Sequence, residues 1–353
     1  MEEQAPGKIS ADVFEQIVLR HLGARDPDVV VPPQHGVDVG VVRIGGGQVM
    51  ALSADPVFVV PAYGWERAAW FAVHILASDT ATAGLPLRWL AVDLNLPLDL
   101  SDGDLATLWE AMSDTAADIG MAVVTGHTGR YAGCAWPMVG GATCIAVGPE
   151  DRYVTPHGAT PGDRVVVTEG PAIEATALFA ATFPGRVAAG VGDELAREAD
   201  ALFEHMTVVP EARVAAAYGL HDDGVTAMHD ATEGGVLGGL TEIADAGGVD
   251  LVVDRDAIPL PAAVRAVCDH VGIDPFASIS EGTLIATVRP QHVDGLLAAL
   301  RDAGVPAADV GEVVPAGEGR VITVGGSPEP LEHPGQDPFW EAFGRWAAEA
   351  EAG

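Results

Sequence analysis

The constraint that most limits the fold of this chain is an alternation of strand-like and helix-like segments that occurs twice along the sequence. Runs rich in Val and Ile, such as QVMALSADPVFVV and RVVVTEG, alternate with segments of helical periodicity, such as residues 65–83 and 101–119. Such alternation predicts an α/β (α+β) fold. The Pro-, Gly- and charge-rich segment PEDRYVTPHGATPGD separates the two blocks and predicts a linker. We therefore predict an N-terminal mixed-sheet domain over residues 1–150 and a C-terminal α/β domain over residues 151–328.

Local signals refine this division. Ser10 predicts the N-cap of a first helix that ends at Gly23. Gly45-Gly46-Gly47, between two β-rich runs, predicts a hairpin turn rather than a phosphate loop. Residues 329–353 include DPFWEAFGRWAAEAEAG, which predicts an amphipathic helix. Its four large aromatic side chains are then available to dock on a surface: Phe339, Trp340, Phe343 and Trp346.

The charge balance limits the possible partners. The chain has 51 acidic residues against 18 Lys plus Arg, and its formal net charge is −33. A surface of this kind repels nucleic acid and anionic lipid. Because the acids are scattered, we interpret them as adaptation to a salty cytoplasm, whereas an acidic partner-binding surface would cluster them. The sequence has neither a run of roughly 20 apolar residues nor a signal-peptide pattern at MEEQAPGKIS, so we expect a cytoplasmic protein.

Several common catalytic signatures are missing. The sequence contains no GxSxG, no GxxxxGKS/T and no HExxH motif. The three cysteines, Cys134, Cys144 and Cys268, have no CxxC spacing, and we expect them to be reduced and mostly buried. Lys8 is the only lysine and lies close to the N-terminus, which argues against a catalytic lysine. Carboxylates are therefore the candidate chemical groups.

Five places combine carboxylates or open backbone amides with small residues. They are Asp38 in HGVDVG, Asp55 in LSADPV, Asp79 in ASDTATAG, the glycine-rich turn VVTGHTGRYAG, and Asp230 with Glu233 in MHDATEGGVLGGL. In the last of these, Gly234 and Gly235 remove side chains from the first turn of a predicted helix. Exposed amides at a helix N-terminus suit a phosphate, and adjacent carboxylates suit the magnesium that accompanies it.

Each place also has a structural alternative. Asp38 and Asp55 fit turns, Asp230 fits an ordinary helix cap, and the glycines after Glu233 (Gly234, Gly235, Gly238 and Gly239) fit close helix packing. In a chain this acidic a single aspartate carries little information. The order and context of all five places together carry the functional interpretation.

That ordered set resembles the superfamily of aminoimidazole ribonucleotide (AIR) synthase, thiamine-monophosphate kinase, selenophosphate synthetase and the carbamoyl dehydratase HypE. The resemblance runs from about Gly7 to Val324. The motifs that supply magnesium ligands in these families look like Gly36–Gly40, Ser53–Asp55 and Ser78–Leu85, and their G-G-D/E-T loop corresponds to residues 125–128. The D-x-S/T-x-G-G motif is matched by residues 230–235. HDATEGGVLGGL and SEGTL look most like the dehydratase branch.

The resemblance implies a PurM-like fold in which the first domain forms a homodimer and ATP lies in a cleft between the dimerised sheets and the second domain. It implies ATP and Mg²⁺ as cofactors. Magnesium would be held by four aspartates: Asp38, Asp55, Asp79 and Asp230. Phosphates would contact five residues: Gly126, Thr128, Gly129, Gly234 and Gly235. His127 and Glu233 are the candidate catalytic residues.

Two departures from the family pattern stand out. His127 occupies a position where the families place Asp or Glu, and imidazole is a poor ligand for magnesium. It therefore suits a hydrogen bond to phosphate or substrate, or a role in stabilising its own loop. The dehydratase family ends in a cysteine that receives a carbamoyl group, whereas this sequence ends Glu-Ala-Gly.

The function expected is therefore ATP-dependent activation of an oxygen of a small-molecule or amide substrate by phosphoryl transfer from Mg-ATP, without tail-cysteine chemistry. Within enzymes, a small-molecule kinase similar to thiamine-monophosphate kinase is the alternative. From another class, a non-catalytic nucleotide-binding regulatory subunit remains open. No nucleic acid or membrane partner is expected.

The scattered acids predict salt-dependent folding. We expect the melting temperature to rise through molar KCl, because the Debye length falls to roughly 3 Å at about 1 M salt and screens surface repulsion. Thermal melts from dilute buffer to about 2 M KCl test this expectation. A melting temperature indifferent to KCl would contradict the interpretation of salt adaptation.

Overall fold

The computed structural model describes residues 7–352, which form two compact units. The first unit comprises Arg25–Pro33 and Asp38–Tyr153. The second unit comprises the residues up to Ala24, Gln34–Val37 and the residues from Val154 onward. The segment predicted as a linker is partly structured, because Pro149 ends a strand and Val154–Pro156 are buried.

The first helix is shorter than predicted. Ser10 is its N-cap, and the Ser10 hydroxyl accepts a hydrogen bond from the Val13 N–H at 3.4 Å. Helix α1 (Ala11–Val13) continues into a π-helical turn that ends at Val18 rather than at Gly23. Its apolar side chains stay exposed, with Ile17 63% exposed. Without a buried face, a helix this short gains little stability from propensity alone.

The first unit is built on a six-stranded sheet of order β1-β2-β3-β6-β4-β5. Helix α2 packs against α3 and β3. The elements are β1 (Val29–Val31), β2 (Gly40–Gly45), β3 (Gln48–Phe58), α2 (Trp65–Ala81), β4 (Leu87–Leu96), α3 (Asp102–Asp118), β5 (Ala122–Arg130) and β6 (Met138–Pro149). The hairpin predicted at Gly45-Gly46-Gly47 is confirmed, since all three have positive φ and β2 pairs antiparallel with β3.

The glycine-rich segment predicted as a turn is a strand instead. Residues Ala122–Arg130 form β5, which pairs parallel with β4 at one edge of the sheet. A Cβ on Gly126 would lie 1.9 Å from the carbonyl oxygen of Val92. Glycine is therefore needed here so that the two strands can approach, which explains a glycine-rich strand that looks like a loop.

The second unit is built on a seven-stranded sheet of order β13-β12-β9-β11-β7-β10-β8. Its strands are β7 (Arg164–Thr168), β8 (Val225–Asp230), β9 (Asp250–Asp254), β10 (Leu284–Val288), β11 (Ala307–Val314), β12 (Val321–Val324) and β13 (Ser327–Pro330). Its longer helices are α4 (Ile173–Thr182), α5 (Pro184–Val191), α6 (Asp193–Ala201), α7 (Val209–Tyr218), α8 (Gly235–Gly247), α9 (Ala262–Val271), α10 (Val293–Asp302) and α11 (Pro338–Ala352). Side chains of α8, including Val236, Leu240 and Ile243, pack in a core with residues of β7 to β11.

The C-terminal helix docks as its aromatic side chains predict. The ring of Phe179 on α4 lies 5.5 Å from those of Phe339 and Phe343 and 5.1 Å from that of Trp346, measured between centroids. Phe339 and Trp346 are almost fully buried. Aromatic pairs at these distances stabilise contacts beyond the area they bury, so α11 is fixed on α4.

The helices of the described residues include none with the length and apolar character required to span a bilayer.

Candidate functional site

Buried acidic side chains, including Asp230 and Asp337, lie at the start of α8. Strand β8 ends at Asp230, which is fully buried, and α8 begins five residues later at Gly235. Asp230 is therefore not the helix cap that the sequence left open as an alternative. The N-cap position belongs to Gly234, which has no capping side chain of its own.

The glycines at this helix start have packing roles. Gly234 and Gly235 have φ values of 80° and 59°, a region that favours glycine. A Cβ on Gly235 would lie 2.5 Å from the carbonyl oxygen of Ser278, and one on Gly239 would lie 2.8 Å from the Ile285 side chain. The close-packing alternative is thus confirmed for Gly235 and Gly239. Packing does not exclude a second role for the amides of the first turn.

Lys8 lies beside the same helix start. Its backbone N–H donates to the Glu233 carboxylate at 2.9 Å, and its ammonium lies 3.4 Å from the Thr232 hydroxyl. Sequence analysis gave little weight to Lys8 because of its position near the N-terminus. Lys8 and Thr232 are separated by 224 positions in the sequence, so no local pattern predicts their contact. The ammonium of the only lysine in this acidic chain therefore lies beside the helix start, where its positive charge favours a bound anion.

Carboxylates crowd the same region. Desolvation, aided by the nearby charges of Asp337, Glu233 and Asp230, raises the pKa of Glu174 to about 7. The Glu174 carboxylate accepts a hydrogen bond from the Glu281 N–H at 3.1 Å. Glu174 is not among the residues that the sequence motifs predicted. A bound cation among these carboxylates would favour their ionised forms and reduce the repulsion between them.

The C-terminal segment supplies an anion to the helix start. The carboxylate of Asp337 accepts hydrogen bonds from the Gly234 N–H and the Phe339 N–H, both at 2.8 Å. Desolvation raises the pKa of Asp337 to about 6. A phosphate at this helix start would compete with Asp337 for the Gly234 amide.

A buried histidine precedes Asp230. The His229 Nε2 lies 2.7 Å from the Glu242 carboxylate, and both side chains are buried. A Cβ on Gly36 would lie 3.0 Å from the Glu242 Cβ, so Gly36 packs against Glu242. Sequence analysis did not predict the pair. Its only signal was a histidine next to an aspartate at the end of a strand.

In the first unit, Asp55 and Asp79 lie on the same side of the sheet. Asp55 follows Ser53 by two residues on β3, so both point to the face that α2 covers. The Ser53 hydroxyl lies 2.7 Å from that of Thr80, next to Asp79 on α2. Asp38 is half-buried and lies just before β2.

His127 lies on the other face of that sheet. It pairs in register with Asp93 of β4, whose neighbours Val92 and Leu94 point into the core. The His127 Nε2 lies 2.6 Å from the Tyr131 hydroxyl. Sequence analysis missed Asp93, although its alternation with buried residues in AVDLNL was a usable signal. Thr128 is exposed on the same strand.

A cleft of about 640 Å³ opens beside these strands, and its lining includes Asp55, Asp93, Gly126 and His127. Asp55 and His127 therefore both line this cleft. Asp38 and Asp79 do not line it. Carboxylate oxygens at Asp55 and Asp230 are hard donors that fit Mg²⁺, whereas an imidazole does not.

Glu174 predicts a pH dependence of stability. Because its pKa is raised from 4.5 to about 7, the folded state holds a proton that the unfolded chain has lost between these values, and the contribution of Glu174 to stability disappears as the pH rises through 7. In chelator-treated buffer, Glu174→Gln should match the wild type at pH 5 and be more stable at pH 8, by on the order of 1–3 kcal/mol. Exposed Glu198→Gln is the control. Melting curves of wild type and E174Q that run parallel from pH 5 to 8 would contradict the prediction.

The chain is similar to known proteins along most of its length. Models of the AIR synthase related protein match residues 36–152 with its N-terminal domain and residues 160–324 with its C-terminal domain. The carbamoyl dehydratase HypE of Cupriavidus necator is 28% identical over 326 residues, which are 90% of this chain and 86% of that protein. A crystal structure of E. coli HypE, a hydrogenase maturation protein, is 27% identical with a TM-score of 0.66, covering 82% of this chain and 87% of the other.

A structure of HypE in complex with ATP has the same fold, with a TM-score of 0.65 at 23% identity over 95% of this chain and 97% of the other. The two family models together include strands β2 to β12 and the start of α8. The PurM-like two-domain fold predicted from the sequence is thereby confirmed. The chain belongs to the AIR synthase related, PurM-like superfamily of enzymes and to its HypE-like branch.

Proposed function

We propose that this protein is an ATP-dependent enzyme that activates an oxygen of a small-molecule or amide substrate by phosphoryl transfer from Mg-ATP. One observation carries the proposal: the start of α8 combines helix amides, the only lysine of the chain and a crowd of carboxylates. Amides and an ammonium suit phosphate oxygens, and carboxylates suit the magnesium that neutralises them. The ATP named for one HypE structure and the shared family support the same ligand.

Individual residues receive roles by this proposal. Asp38, Asp55 and Asp79 of the first unit and Asp230 of the second are proposed magnesium ligands. Bound magnesium would neutralise triphosphate charge, which is the main electrostatic need of phosphoryl transfer. The amides at Gly234 and Gly235, and the segment Gly126–Gly129, are proposed to contact phosphates.

Glu233 and His127 are proposed to act on the substrate. Glu233 is held by the Lys8 N–H, so its carboxylate is oriented at the helix start. His127 is held through Nε2 by Tyr131, which fixes the ring plane on the exposed face of β5. An oriented imidazole can hydrogen-bond a phosphate or substrate oxygen without binding magnesium.

Thiol chemistry is not part of the proposal. Burial raises the pKa of Cys144 and of Cys268 to about 12, so neither forms a thiolate at neutral pH. Cys134 is half-buried rather than buried as expected, and it lies in the connection between β5 and β6. Residues 329–353 contain no cysteine, and most of them belong to the docked α11. We therefore propose activation of an oxygen rather than transfer of a carbamoyl group to a cysteine of this chain.

We also propose that the first unit mediates homodimerisation through the β5 edge of its sheet. Strand β5 is exposed over most of its length, with Val124 53% exposed. An exposed apolar edge strand is a template for pairing with a second copy.

Substitution of the proposed ligands tests the function. Asp55→Asn and Asp230→Asn keep side-chain shape and remove one charge, so each should weaken Mg-ATP binding by about 1–3 kcal/mol while changing the fold little. Asp118→Asn on the exposed side of α3 is the matched control. Titration calorimetry gives the affinities, and phosphate release with candidate substrates reports turnover. Equal Mg-ATP affinity in all variants would remove both residues from the site, and binding without turnover would favour a regulatory subunit.

A further inference from the structure

The C-terminal segment that reaches the start of α8 lies outside the family domain. The family model ends at residue 324, whereas the chain continues through β13, residues 331–337 and α11. We call residues 331–337 the strap. They lie outside the family model and return to the start of α8, where Asp337 contacts Gly234.

The strap is anchored at its C-terminal side. Helix α11 holds onto α4 through the aromatic contacts of Phe179, and the Arg186 guanidinium lies 3.8 Å from the centre of the Trp346 ring. Arg186 also forms a 2.7 Å ion pair with Glu349. These contacts lie on α4 and α5 rather than at the start of α8, although the Phe339 N–H of α11 also donates to Asp337. Release of Asp337 from the Gly234 N–H therefore does not require α11 to leave α4.

The strap covers the first turn of α8 directly. A Cβ on Gly234 would lie 3.2 Å from the His333 Nε2 and 3.3 Å from Pro334. Asp337 then takes the Gly234 N–H, 103 residues away in sequence. Asp337 is buried, with 3% of its surface exposed. A helix whose N-cap residue has no side chain thus obtains its capping anion from the strap.

We propose that the strap is an internal competitor for phosphate: Asp337 occupies the anion position at the start of α8, and a phosphate group of a nucleoside triphosphate displaces it on binding. The inference rests on the proposed function, because it takes Mg-ATP as the ligand. A carboxylate and a phosphate oxygen both need the Gly234 amide and the positive end of the helix. The two anions therefore cannot hold it together, and part of the binding free energy is spent on releasing the strap.

The main alternative is that Asp337 is only a structural cap. Both alternatives predict that Asp337→Asn loses one of the two hydrogen bonds from the Gly234 and Phe339 N–H groups, because an amide offers one acceptor oxygen in place of two. Only competition predicts that the same variant binds Mg-ATP more tightly. Glu341→Gln, on the exposed side of α11, removes the same charge from the same segment and serves as the control.

The test combines calorimetry with hydrogen exchange on the full chain. For Asp337→Asn we expect the Kd of Mg-ATP to fall about 3–10-fold, the range for weakening one charge-assisted hydrogen bond, with Glu341→Gln unchanged. In the wild type, Mg-ATP should increase amide exchange in residues 331–337 while residues 339–346 stay protected. The wild-type exchange experiment stands even if the variant folds poorly.

The outcomes separate this inference from the proposed function. Mg-ATP binding with an unchanged Kd in Asp337→Asn and unchanged exchange in the strap overturns the inference alone. Weaker binding by the variant also overturns it, since Asp337 would then assist the ligand. Failure of Mg-ATP to bind either the wild type or the variant overturns both proposals.

Discussion

Burial of carboxylates close to one another at the start of α8 is the constraint on which the candidate site depends. Four acidic side chains influence one another there, namely Glu174, Asp230, Glu233 and Asp337. The surrounding chain carries a net charge of −33 and cannot supply many cations. Three features reduce the negative charge at this helix start. They are the raised pKa of Glu174, the hydrogen bond from the Gly234 amide to Asp337, and the hydrogen bond from the Lys8 N–H to Glu233. A magnesium ion carrying phosphate would provide what these only partly supply.

In the first unit, the candidate residues are arranged by the two faces of the sheet. Its sheet separates polar residues by face, with Asp55 on the side of α2 and Asp93 with His127 on the other. Residues of both sets line the cleft beside β3, β4 and β5. Strand β5 owes its position to Gly126, because a side chain there would strike the Val92 carbonyl. The same glycine that suggested a phosphate loop is therefore a requirement of parallel strand pairing.

Much of the fold follows from local signals in the sequence. The helix predicted over residues 101–119 forms α3, and the glycines at 45–47 close a hairpin as predicted, because helix starts and turns depend on neighbouring residues. The predicted turn VVTGHTGRYAG lies mostly within strand β5, because Gly126 is required by its contact with β4 and not by its neighbours in sequence. The first helix was overextended because periodicity does not reveal whether an apolar face finds a partner.

The candidate site shows the same division. The predicted Asp230, Glu233 and Gly234 lie within one local motif, and the structure places them at one helix start. Lys8, Glu174 and Asp337 reach that start from three distant segments, and only tertiary packing brings them together. No spacing rule in the sequence could have found them. The most chain-specific contributions to the site are therefore the ones that sequence patterns do not show.

The reactivity of Lys8 tests the central claim most directly. Because Lys8 is the only lysine, an amine-selective acylating reagent can modify only its side chain and the terminal amine, and mass spectrometry resolves the two. If the start of α8 binds phosphate, Mg-ATP should slow acylation of Lys8 severalfold and leave the terminal amine less affected. Acylation of Lys8 at the same rate with and without Mg-ATP, at a concentration where calorimetry shows the nucleotide to be bound, would contradict the account.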